Sequence, residues 1–326
     1  MSQGLKVSLC MPTNGVVEWV FPVLDSIYNQ GVDEGLFEVV ITDNGHNEDF
    51  KSQIREFILK HQNIVYAETN ALPFINEIES YKRARGELIK FVNHRTKLVK
   101  GSLNKLIEFV EEYRDEKPVV YYSNGVLNIL KSKHEYSSFD QFVKHLSYWS
   151  SWSTGMTIWK DDFEKLSDDV SEYNELFPHT NILFAERTRG KYIIDNSVIF
   201  DEIPVGHANK GKYNVFYAFG VEYPAIICDL LRDGAISEKT FLSVKNDNLK
   251  FISKMYLDFL VLRHKCSYDL SNRKESLEVF YSYGKAKRMA FVLLVLSVLE
   301  IPLRIIKKII RIMGCFKKKD SISLWN

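Results

Sequence analysis

The sequence is poor in the features that place a protein quickly. Its 4 cysteines, at positions 10, 228, 266 and 315, stand far apart. That excludes a disulfide framework and a metal site built on close Cys pairs, and it points to a reducing compartment. No run of about 20 apolar residues is present, so no spanning helix is expected. Internal repeats and low-complexity tracts are absent, and the first strand begins almost at the N-terminus, so a signal peptide is not expected either. There is no basic, glycine-rich N-terminal loop of the kind that cradles a triphosphate, which weighs against a nucleotidyltransferase.

What is present suits a folded α/β chain. With 326 residues, 45% apolar and 26% charged, it can hold one large domain with an appendage, or two domains. The net charge of +1 conceals a segregation. Residues 285–319 carry 10 Lys or Arg and a single acid, Glu300, so the remaining 33 basic and 41 acidic residues form a body of net −8. A basic tail can suit nucleic acid, but this one alternates with apolar residues, and no nucleic-acid partner is expected.

Two strands organise the chain. Leu5-Lys-Val-Ser-Leu-Cys-Met-Pro-Thr-Asn14 is an apolar strand closed by Pro12 and a polar turn. The second, Val39-Val-Ile-Thr42, is β-branched and ends in Asp43-Asn44-Gly45, residues that turn the chain. Between them, Val20, Val23, Leu24 and Ile27 recur at helical spacing. The product is a βαβ unit, with Thr13, Asn14 and Asp43 at the carboxyl ends of its strands, where open α/β sheets bind ligands. The pattern continues with a helix over 50–60, a strand over 63–67, a helix over 73–85 and a strand over 87–92. Asn93-His94-Arg95 follows, then a helix over 102–113 and strands over 119–123 and 191–200.

The segments Val7-Ser-Leu-Cys-Met-Pro-Thr-Asn14, Leu24-Asp-Ser-Ile-Tyr-Asn-Gln30 and Val39-Val-Ile-Thr-Asp-Asn-Gly45 together resemble the start of a bacterial family 2 glycosyltransferase of the GT-A fold. The likeness spans roughly residues 5–200. It implies a Rossmann-like, mostly parallel sheet flanked by helices, a nucleotide-sugar donor held near Pro12, Thr13, Asn14, Asp43, Asn44 and Gly45, and inverting transfer. In that family the lead-in Ala84-Arg-Gly-Glu-Leu-Ile-Lys-Phe-Val92 runs into a D-x-D motif that holds a metal on the donor diphosphate. Here the motif positions are Asn93 and Arg95, flanking His94. Mg²⁺ or Mn²⁺ wants carboxylate oxygens, whereas a guanidinium can itself pair with a diphosphate. Metal-independent transfer through Arg95, with Lys97 in support, and a non-catalytic relative that binds nucleotide-sugar or glycan both stay open, as does a Mg²⁺ or Mn²⁺ cofactor.

The resemblance also frames the second half. The aromatics of 136–159 include Trp149 and Trp152, suited to the C–H faces of an acceptor sugar, with Gly155 as floor and Trp159 as a core residue. Where the family carries a basic carboxylate at a helix start, this chain has His179 and Thr180. His179 is the expected general base, with Asp161, Asp162 and Glu175 as alternatives. The loop 206–213 offers His207, Lys210 and Lys212 as a cationic lid.

Domains are expected over 1–214 (donor and acceptor), 215–284 (helical appendage) and 285–326 (amphipathic tail). In the tail, the apolar run 289–299 breaks at Glu300 and Pro302. Leu303, Ile306, Ile310 and Met313 then share one helical face, opposite Arg304, Lys308 and Arg311. That is the pattern of an interfacial helix on anionic lipid, although a core helix or a hairpin pivoting at Pro302 stays open. The expected protein is peripheral to the cytoplasmic face of the plasma membrane. It would transfer sugar to a lipid-linked or glycan acceptor in O-antigen or capsule synthesis.

Overall fold

The computed structural model describes residues 4–128, 131–204 and 211–298. These divide into two compact units, 1–206 with 221–247, and 207–220 with 248–326.

The first unit is built on a five-stranded sheet of order β3-β2-β1-β4-β8. Strand β1 (Val7–Thr13) runs parallel to β2 (Phe37–Asp43) on one side and to β4 (Leu88–Phe91) on the other, and β2 runs parallel to β3 (Ile64–Glu68). β1 and β2 are buried along almost their whole length, which explains why both read as continuous apolar runs rather than alternating ones. Pro12, which lacks an N–H, is tolerated because it lies beyond the last β1–β4 pair, Cys10 with Phe91.

Helices α1 (Val17–Tyr28), α2 (Glu48–Ile58) and α3 (Asn76–Arg83) connect these strands. Val20, Val23, Leu24 and Ile27 of α1 are buried in the core formed with Val7, Leu9, Val39 and Ile41. After β4, the short β5 (Thr96–Leu98) pairs with the late β10 (Phe200–Glu202), and α4 (Ser102–Tyr113) leads to β6 (Val119–Tyr122). A three-stranded sheet joins β6 to β9 (Tyr192–Asp195) and β7 (Lys133–Tyr136). Helix α5 (Phe139–Leu146) is followed by the 3₁₀ turns Ser147–Ser151 and Ser153–Gly155. Then come β8 (Thr157–Trp159), α6 (Lys160–Phe163) and α7 (Pro178–Leu183). β8 is antiparallel to β4, with Trp159 opposite Leu88.

The unit boundaries differ from those expected at 214 and 284. Helix α8 (Val215–Tyr217) belongs to the second unit, whereas α9 (Tyr223–Arg232) and the start of α10 (Glu238–Tyr256) belong to the first. Polar contacts hold these segments to the first unit. Tyr223 Oη donates to Ser147 O at 3.0 Å, Arg187 pairs with Asp233 at 3.1 Å, and Ser147 Oγ donates to Asp247 at 3.0 Å. In the second unit, α11 (Arg273–Phe280) packs on α8. The last described helix, over 283–298, buries Ala286 and Ala290 and exposes Phe291, Val292, Val295, Leu296 and Val298. Among the described residues no helix is long and apolar enough to cross a membrane. The basic segment 299–326 lies outside the described residues.

Candidate functional site: a crevice at the strand ends

The carboxyl ends of β1, β2 and β4 converge, as the βαβ reading requires. Thr13 pairs with Asp43 at the last step of the register, and Asn44 N–H donates to Thr13 O at 3.1 Å. Asp43 is 1% exposed. Its Oδ1 accepts from Gly45 N–H at 2.8 Å and its Oδ2 from Tyr66 Oη at 3.1 Å. Burial pushes the Asp43 carboxyl above the usual range, against the pull of these hydrogen bonds. Asp43 therefore fixes the Asn44-Gly45 turn, and Asn14 beside it is exposed.

Further residues brace the same ends. Asn76 Nδ2 donates to Thr42 O at 2.8 Å, and its Oδ1 accepts from Thr69 Oγ1 at 2.7 Å. Asn47 Nδ2 donates to Gly15 O at 2.8 Å while its Oδ1 caps α2 through Phe50 N–H. Asn44 Nδ2 donates to Ala71 O at 3.0 Å. Sequence reading missed Asn47, Tyr66 and Asn76. A signal existed for Asn47, an N-cap residue three positions before an apolar one, but not for partners so far apart in the chain.

The third wall is Asn93-His94-Arg95. Asn93 Oδ1 accepts from Arg95 N–H at 3.0 Å, an Asx turn that closes β4. His94 Nδ1 lies 2.8 Å from Thr13 Oγ1, which also accepts from Gly15 N–H at 3.1 Å. The Trp19 ring meets the His94 ring edge-on at 5.2 Å and the Arg95 guanidinium at 5.3 Å. Burial, with Arg95 beside it, pushes the imidazole pKa down to about 3, so His94 is neutral near pH 7. These residues make a poor donor set for a divalent ion: Asn93 Oδ1 already accepts the Arg95 N–H, neither position offers a carboxylate, and Arg95 is a cation.

The aromatic segment is held from below. Tyr121 Oη lies 2.6 Å from Trp149 O and 2.7 Å from Trp152 O. Gly155 sits against the Tyr121 ring so closely that no β-carbon would fit. Buried Lys90 donates to Phe91 O, Thr154 O and Met156 O at 3.1, 2.5 and 3.1 Å. Burial lowers its pKa, while three carbonyls match the three N–H bonds of an ammonium. Trp149 and Trp152 are half-buried, with ring centroids 6.2 Å apart.

Two of the expected catalytic residues are held in other contacts. His179 is 3% exposed; its Nε2 lies 2.9 Å from Ser151 O and its Nδ1 3.3 Å from Glu77 Oε1. An imidazole buried in this way bonds α7 to the aromatic segment through Ser151 O, while its Nδ1 and Glu77 Oε1 face each other, both buried without a hydrogen-bond partner among the described residues. Asp162 is misplaced. Lys160 N–H bonds Glu87 O, which puts α6 at the amino end of β4, opposite the crevice. Its carboxylate pairs with Arg189 at 2.6 Å and with Lys165 at 2.9 Å, beside a cavity of about 250 Å³ lined by Leu88, Trp159 and Ile182. Asp161, also on α6, pairs with Lys117. Glu175 remains. It is exposed, has no hydrogen bond or ion pair among the described residues, and lines a cleft of about 600 Å³ with Thr69–Leu72, Ile75 and Tyr173. Of the lid, His207 and Lys210 lie outside the described residues, and Lys212 is an exposed residue of the second unit.

A mostly parallel sheet flanked by helices, with its crevice at the strand ends, is the GT-A-like fold of glycosyltransferases, and the chain has that fold. No family model and no curated protein matches it. Solved structures do. S. aureus TarS 1-349 in complex with UDP-GlcNAc aligns with a TM-score of 0.58 at 16% identity, covering 85% of this chain and 80% of its own. The same protein in complex with UDP gives 0.55 at 16% identity, with the same coverage. Mannosyltransferase PcManGT from Pyrobaculum calidifontis, in complex with GDP-Man and Mn²⁺, gives 0.50 at 16% identity, covering 93% and 83%. At such identities the likeness is one of fold.

Proposed function

We propose that the chain transfers a sugar from a nucleotide-sugar donor to a lipid-linked or polysaccharide acceptor, as bacterial O-antigen and capsule synthesis requires. The observation that carries the reading is the convergence of Thr13, the Asp43-Asn44-Gly45 turn and His94-Arg95 at one set of strand ends. TarS and the mannosyltransferase PcManGT share this fold, and their complexes hold UDP-GlcNAc and GDP-Man.

In this reading the turn and Asn14 meet the nucleoside, and the diphosphate lies toward Arg95. Attack by an acceptor hydroxyl at the anomeric carbon releases the nucleoside diphosphate. Arg95 neutralises the charge that develops on it, an electrostatic contribution that is commonly the largest in such sites. Trp149 and Trp152 stack on the acceptor. Glu175 takes the acceptor proton, since its cleft shares the 69–72 wall that bonds Asp43 and Asn44. Inversion at the sugar rests on the family resemblance.

We further place the protein on a membrane surface, at the cytoplasmic leaflet. Phe291 is 66% and Leu296 51% exposed on the last described helix, and the sequence beyond it is strongly basic. Apolar insertion beside basic residues suits anionic lipid.

The second reading is a non-catalytic nucleotide-sugar or glycan-binding relative, favoured by the closed Asx turn of Asn93. The test is incubation with a panel of nucleotide sugars and membrane lipid extract. Release of nucleoside diphosphate supports transfer, and binding without turnover supports the second reading.

A further inference from the structure

We propose that His94 is a fixed hydrogen-bond donor to the diphosphate of the donor nucleotide, locked in its Nε2–H tautomer by Thr13; the proposal rests on the donor-crevice reading above. The lock follows from counting protons. Thr13 Oγ1 accepts from Gly15 N–H at 3.1 Å and lies 2.8 Å from His94 Nδ1. A hydroxyl has one proton to give, and no other acceptor for it is found among the described residues. The arrangement that satisfies every group sends the Thr13 proton to Nδ1, which leaves the ring proton on Nε2. Among the described residues Nε2 has no partner, yet it is not one of the buried polar atoms left unsatisfied. It is an N–H that solvent or a ligand must complete.

Its neighbours indicate the ligand's chemistry. Arg95 stands on the same Trp19 ring, so a full positive charge and a neutral N–H share one corner. That pair suits an anion with several acceptor oxygens and a spread charge, which describes a diphosphate. A neutral donor adds no proton that could pass to the sugar, and it stays a donor across the physiological pH range. The chain from Gly15 through Thr13 to His94 also links the β1 turn to the β4 turn.

The experiment is ¹⁵N imidazole NMR of the whole chain, titrated with UDP, GDP, CDP and dTDP in turn, for wild type, Thr13→Val and His94→Gln. Wild type should show an Nε2–H ring before nucleotide, unchanged between pH 6 and 8, and a shift of that nitrogen on binding. Thr13→Val keeps shape but removes the hydroxyl, so both tautomers should appear and diphosphate affinity should fall about tenfold, as expected for a lost hydrogen bond to a charged group. His94→Gln should lose a similar factor for the diphosphate and little for the matching monophosphate. An Nδ1–H ring in wild type, or nucleotide binding that leaves the ring and the His94→Gln affinity unchanged, overturns the proposal. If no nucleotide binds wild type while the ring shows the Nε2–H form, the donor-crevice reading fails and the ligand assignment falls with it.

Discussion

Gly45 and Asn14 meet backbone to backbone across the crevice: a β-carbon on Gly45 would collide with the Asn14 carbonyl. The turns that follow β1 and β2 are therefore packed as one surface, and only glycine permits it. Gly45→Ala should force them apart, costing about 1–3 kcal/mol of stability, as overpacking does. It should also weaken nucleotide binding well beyond that of a surface control. Thermal melts and calorimetry of the same preparation would check both, and normal binding by the alanine variant would mean that ligands do not use this surface.

The proton acceptor is the next question. Glu175→Gln should leave donor binding intact and slow transfer by about 10²-fold, the usual cost of losing a positioned base. His179→Ala should behave differently, lowering the melting temperature because it frees Ser151 O and leaves the buried Glu77 without its neighbour. Turnover numbers and melts on the two variants separate the roles. A His179→Ala enzyme that is fully stable but inactive would return the base to the imidazole.

Much of the donor half could be read from the chain because its signals are local. β1, α1, β2 and the Asp43-Asn44-Gly45 turn each announce themselves within about ten residues, and the strand ends then follow from the handedness of βαβ units. Where contacts are distant, the sequence was mute. The three-residue β5, β8 and β10 carry too few residues for a period, and β7 reads as a polar stretch, Lys-His-Glu-Tyr. His179 looked catalytic because a helix start and an imidazole are visible in sequence, whereas its enclosure by Ser151 and Glu77 is not. The position of Asp162 was hidden for a topological reason: the antiparallel edge strand reverses the chain and carries its carboxylate to the amino end of β4.

His94 also predicts how stability depends on pH. Its folded pKa of about 3 lies below the ordinary histidine value of 6.5, so below pH 6.5 the unfolded chain binds the proton that the folded one refuses. Stability should fall as pH drops from 6.5 toward 3. Denaturant melts of wild type and His94→Gln should show a shallower decline for the variant over that window. Parallel curves would mean that His94 titrates normally in the folded state.

At the membrane, the exposed apolar residues of the last described helix should matter as much as the basic residues. Phe291→Asp with Leu296→Asp should reduce pelleting with vesicles containing phosphatidylglycerol by more than tenfold while leaving nucleotide binding unchanged, since each inserted apolar side chain contributes roughly 1.5–3 kcal/mol when fully buried. Salt should release wild type only in part, because that term is not electrostatic. Equal pelleting by the double variant would remove this helix as the anchor.

The most direct test of the central claim is calorimetric titration of nucleotide sugars, including UDP-GlcNAc and GDP-Man, into wild type and Arg95→Ala in the presence of EDTA. Asn93 and Arg95 close β4 without a carboxylate, and the guanidinium is proposed to take the diphosphate. At least one nucleotide sugar should bind wild type in EDTA, and Arg95→Ala should weaken it ten- to a hundredfold, the worth of charge-assisted hydrogen bonds of about 1.5–3 kcal/mol. Binding that appears only with Mn²⁺ and is indifferent to Arg95, or no binding by any nucleotide sugar, would contradict the account.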